Sequence, residues 1–92
     1  MNMPMTLHAT ARQQQRGIPP LIMEWLSIYG ACRHDHRGAE ILYFDKQSRK
    51  ALARDVGEEI VSRLSALLDS YAVVSNSGSV ITVGHRFKRV CH

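Results

Sequence analysis

A chain of 92 residues that is 45% hydrophobic is long enough for one folded domain and too apolar for a disordered segment. Two cysteines exclude a disulfide scaffold, and no run approaches the ~18 apolar residues of a membrane span, so the sequence points to a reduced, cytoplasmic protein with no membrane partner. The net charge of +4 is uneven: residues 1–23 hold two arginines and no acid, residues 70–92 hold three basic groups and no acid, and residues 24–69 balance seven basic against eight acidic groups.

The elements follow in order. The start, MNMPMTLHAT, lacks the basic region and apolar core of a signal peptide, and residues 1–5 are expected to be frayed. Thr6 is placed to cap a helix from Leu7 to Arg16 that Gly17 stops. Its apolar stripe is thin, Leu7 and Ala11, while His8, Arg12 and Arg16 share a polar face. Ile18-Pro19-Pro20 is a rigid joint, because proline suits the first helical turn. A second helix, Pro20 to Tyr29, is apolar around a wide arc and should bury Trp25 and Leu26.

Ala31 to His34 and Glu40 to Phe44 read as short strands joined by the turn Asp35-His36-Arg37-Gly38. Asp45 then caps a long helix, Lys46 to Asp69, whose apolar residues Leu52, Val56, Ile60, Leu64, Leu67 and Leu68 recur every three or four positions. Gly57 costs about 1 kcal/mol inside a helix. A kink or short break near Asp55-Val56-Gly57 is therefore favoured over one continuous helix, with Asp55 capping a second piece and Glu58 at its third position. Tyr71 to Val74 and Val80 to Val83 are rich in β-branched residues, and Asn76-Ser77-Gly78-Ser79 turns between them. The expectation is one α+β domain, order α-α-β-β-α-β-β, with a mainly antiparallel sheet of about four strands.

Four groups could carry chemistry. His8, Arg12 and Arg16 lie on the first helix; His85, Arg86, Lys88 and Arg89 follow the last strand. Histidine can exchange protons near neutral pH, and arginine or lysine stabilises phosphate charge. If the two groups converge, His8, His85 and Arg86 suit metal-independent RNA cleavage, one imidazole taking the 2′-hydroxyl proton and the other protonating the leaving oxygen. The third group, Cys32, His34 and His36 with Cys91 and His92, holds zinc-ligand types in no standard spacing, so neither metal nor cofactor is expected. The fourth is Arg49, Lys50 and Arg54, basic residues at a helix start where the dipole favours acids, a placement that suits phosphate.

His8-Ala9, Arg12, Arg16-Gly17-Ile18 and the closing Val80-Ile81-Thr82-Val83 resemble a small plasmid- and prophage-borne bacterial domain family of unknown function, itself distantly similar to ribonuclease toxins of the RelE and BrnT type. The resemblance implies His8, Arg12, Arg16 and Arg86 as functional positions. Two readings follow. One is a small basic protein that binds RNA, or another nucleic acid, through Arg12, Arg16, Arg49, Lys50, Arg86, Lys88 and Arg89, and that can cleave it. The other is a non-catalytic interaction protein of a mobile element that binds a host protein or nucleoprotein complex. Homodimerisation is compatible with either.

Overall fold

The computed structural model describes residues 4–34 and 38–85. The expected turn at Asp35, His36 and Arg37 and the basic tail with Arg86, Lys88, Arg89, Cys91 and His92 lie outside these residues. Along the chain run helix α1 (Leu7–Gln15), helix α2 (Pro20–Tyr29), strands β1 (Ala31–His34) and β2 (Glu40–Tyr43), helices α3 (Lys46–Val56) and α4 (Glu58–Arg63), a 3-10 turn (Ser65–Asp69), and strands β3 (Ser70–Val74) and β4 (Val80–His85). The order and the α+β class are as the sequence predicts. Among the described residues, no helix is long and apolar enough to cross a membrane.

The four strands form one antiparallel sheet in chain order, β1-β2-β3-β4. Successive strand residues point to opposite faces, so the register divides the sheet. Leu42, Ala72, Val74, Val80 and Val83 meet the helices. Arg33, Ile41, Tyr43, Tyr71, Val73 and Thr82 occupy the other face, and none of these six belongs to the core. Val80 and Val83 are both fully buried although three residues apart, a spacing that strict alternation would split between faces. A bulge resolves this. Val73 pairs with Thr82 and Val74 with Val80, leaving Ile81 unpaired and partly exposed.

The helical layer supplies Ile22, Met23, Trp25 and Leu26 from α2, Leu52 from α3 and Leu68 from the 3-10 turn. Pro19 and Pro20 start α2, where a missing N–H costs nothing. The helical stretch is broken at Gly57, as its sequence favours; the glycine's φ of 102° lies in the left-handed region that a Cβ disfavours. Asp55 does not cap the second piece: Gly57 holds that position without a side-chain cap. Asp55 instead accepts a hydrogen bond from the Tyr29 hydroxyl at 2.7 Å, tying the end of α2 to the end of α3. That bond is the main reason the Tyr29 phenol is pushed above its ordinary pKa. With the helix broken, Ile60 falls outside the apolar stripe and stands exposed.

The other departure is α1. Thr6 caps it, accepting from the Ala9 N–H at 3.1 Å. Leu7, however, is 91% exposed, and the buried side is marked by Ala9. Residues that precede the helix decide this. Pro4 accepts from the Val80 N–H at 2.8 Å and the Thr6 N–H donates to the Val80 carbonyl at 3.0 Å, so Met5 bridges to β4 in parallel. Pro4 and Met5 thus pair with the sheet where fraying was expected. The helix that follows lies along the free edge of β4 rather than across the end of the sheet, and only its smallest side chain fits the seam.

Trp25 is 7% exposed and Leu26 fully buried. Trp25→Ala should cost about 3–5 kcal/mol and lower the melting temperature by more than about 10 °C, as read by thermal circular dichroism.

Candidate nucleic-acid interface

Among the described residues, helix α3 carries the densest positive charge. Asp45 starts it, its Oδ1 accepting from the Ser48 N–H at 2.7 Å. Lys46, Lys50 and Arg54 then recur every four residues, which places them on one stripe about 12 Å long. Leu52 and Ser48 are buried on the opposite side. Lys46, Arg49, Lys50, Ala53, Arg54 and Glu58 line a shallow groove of about 610 Å³. Its single carboxylate, Glu58, faces four cations.

These cations differ in role. A guanidinium nitrogen of Arg49 donates to the Leu68 carbonyl and to Asp69, both at 3.0 Å. That side chain fastens α3 to the 3-10 turn before β3. Among the described residues, no carboxylate pairs with Lys46, Lys50 or Arg54. Three cations are therefore available to an anion and a fourth is braced beside them. Arg49 and Lys50, both candidate nucleic-acid ligands from sequence, fall in this groove. Lys46 joins them because the helix begins immediately after Asp45, and its i, i+4 relation to Lys50 was the signal available in the sequence.

The two histidines are not brought together. His8 Nε2 lies 3.5 Å from Thr82 Oγ1, on the sheet face away from the core. His85 points to the helical side. Its Nε2–H donates to the Arg16 carbonyl at 2.9 Å, and its Nδ1 lies 3.4 Å from Ser70 Oγ, whose hydroxyl donates to Leu67. Thr82 and His85 are three residues apart on the regular part of β4, so they project to opposite faces. The imidazoles also sit at opposite ends of α1, which runs parallel to β4. His85 buttresses the end of α1; His8 is an exposed neighbour of the sheet.

Arg12 and Arg16 remain on α1. Arg16 is exposed, whereas Arg12 is half-buried, its Nε enclosed without a hydrogen-bond partner among the described residues. Arg86, Lys88 and Arg89 lie outside the described residues. The Cys32 thiol donates to Glu40 on the neighbouring strand. That bond, with burial adding to it, pushes the thiol up to about 11, far from the thiolate a metal needs. Among the described residues, no group of three histidine, cysteine, aspartate or glutamate side chains could hold a metal.

No protein-family model, curated protein or solved structure matches the chain. The resemblance to the plasmid-borne and toxin-like families thus rests on its short sequence motifs.

Two outcomes test this geometry. His85→Ala should cost about 1 kcal/mol through the lost bond to Arg16, while His8→Ala should stay within about 0.5 kcal/mol, as measured by denaturant melts. The Asp45 carboxyl is held below its ordinary range chiefly by the Ser48 backbone N–H. Its charge therefore stabilises the fold above about pH 4 and loses that effect as pH falls through the lowered value. Asp45→Ala should be about 1 kcal/mol less stable than wild type at pH 7, with a narrower gap at pH 3.

Proposed function

We propose that this protein binds nucleic acid, RNA foremost, and that α3 holds the phosphate backbone. The observation that carries the reading is the groove lined by Lys46, Lys50 and Arg54 of α3, with Arg49 braced beside them and Glu58 of α4 as its one carboxylate. Lys46 stands in the first turn, where the dipole favours acids, and Lys46, Lys50 and Arg54 repel one another at i, i+4 spacing, an arrangement that suits an external polyanion. Binding, rather than cleavage, is proposed, because His8 and His85 serve different faces of β4 and His85 is engaged in holding α1.

Salt dependence separates this reading from capture of a host protein through apolar surface. Each phosphate contact on a single strand contributes about −0.7 to the slope of log affinity against log salt. Lys50→Ala and Arg54→Ala should each weaken binding of a fluorescent RNA and flatten that slope by about 0.7. Fluorescence anisotropy from 50 to 300 mM salt measures both. Binding indifferent to salt and to both substitutions would remove the proposal.

A further inference from the structure

The sheet face turned away from the core has a composition that the α3 groove does not explain. Tyr43 and Tyr71 are directly opposite each other on β2 and β3, both half-buried and both outside the core. The Tyr71 ring covers Gly84 on the next strand: a Cβ there would meet Tyr71 Cε1 and Oη at 3.0 Å. Glycine lets the ring lie along the sheet surface, braced against β4, instead of standing away from it. A flat, braced aromatic ring on a sheet is the posture in which an unpaired base can stack.

The surroundings are cationic. Arg33 lies one row along the same face, in register with Ile41, Val73 and Thr82, and neither row contains a carboxylate. On the far border, His8 stands level with Thr82. Four residues of helix rise about 6 Å and two strand residues about 6.6 Å, so α1, parallel to β4, sets Arg12 level with Gly84. Arg12 is half-buried, and its Nε has no hydrogen-bond partner among the described residues.

The α3 stripe starts close to this face along the chain, and a nucleic-acid strand that leaves the tyrosine row reaches it by passing round the end of β2. Tyr43 and Lys46 are three residues apart, so their Cα atoms are at most about 11 Å from each other. Arg49 is fastened to Leu68 and Asp69, just before β3 begins. The tyrosine row thus lies at the end of the sheet from which α3 springs.

Resting on the nucleic-acid reading above, we propose that the ligand is a single strand with an unstacked base on Tyr71, while its phosphates run round the end of β2 onto Lys46, Lys50 and Arg54. A duplex, with its bases stacked internally, satisfies only the cationic half of this surface.

Competition and direct binding test it. The probes are fluorescent 12-nucleotide oligo(A) and oligo(U), a 12-base-pair RNA duplex, and inorganic polyphosphate, which has the charge without bases. Wild type should prefer the single strands to the duplex at equal salt. Tyr71→Leu should weaken single-strand binding about tenfold, leaving the salt slope and polyphosphate competition unchanged. Arg33→Ala, an exposed edge-strand change, should weaken it a few-fold, and it keeps the test decisive if Tyr71→Leu melts early. The Lys50→Ala/Arg54→Ala variant should lose single strands and polyphosphate alike. Folded Tyr71→Leu and Arg33→Ala proteins that bind oligonucleotides like wild type, while the α3 variant does not, overturn the base-stacking surface and leave the α3 reading standing. Failure of wild type to bind any probe overturns both. A homodimer in sedimentation that Tyr71→Leu dissociates gives the face to a second copy and overturns the proposal.

Discussion

Everything in this fold depends on how β4 is held. The strand must send Val80 and Val83 into the core, yet also carry Thr82 and Gly84 on the opposite face. One unpaired residue, Ile81, makes both demands compatible by resetting the alternation part-way along. The bulge also leaves the Val80 N–H and carbonyl facing Pro4 and Thr6, which pair with them. Residues some 75 positions apart in the chain are thereby stitched together, and α1 is delivered along the edge of β4. A four-stranded sheet with one row of helices has little apolar area to spare, so closing that edge matters as much as filling the core.

Much of this was legible in the residues. The proline pair and the apolar arc of α2 give its start and its burial; the β-branched runs give β3 and β4; Asp45 gives the start of α3. Gly57 marks the helix break, but the capping pattern around it misleads, since Asp55 is drawn to Tyr29, a partner 26 residues away. Helix α1 was harder. Leu7 is the most apolar residue of its first turn, yet the parallel pairing at Met5 fixes the rotation of the helix and leaves Ala9 at the seam. Local periodicity cannot anticipate a rotation imposed by a strand at the other end of the chain.

The site was legible in part for the same reason. The cations of α3 are a local pattern, repeating every four residues on one helix, and the sequence exposes it. The relation between the histidines is non-local. It depends on the direction of α1 along β4, which the pairing at Met5 sets, and on the opposite parity of Thr82 and His85. The tyrosine row is likewise invisible along the chain. Tyr43 and Tyr71 become neighbours only through register, and the role of Gly84 emerges only once a ring is found above it.

The covering of β4 has one more consequence. Among the described residues, the sheet keeps a single bare margin, the outer side of β1, only four residues long and carrying Arg33 and His34. A subunit with one bare margin can join a second subunit there and then has nothing left to offer a third. Were copies of this protein to pair strand by strand, such pairing would stop at two, because the described chain already covers the β4 margin with Met5 and α1.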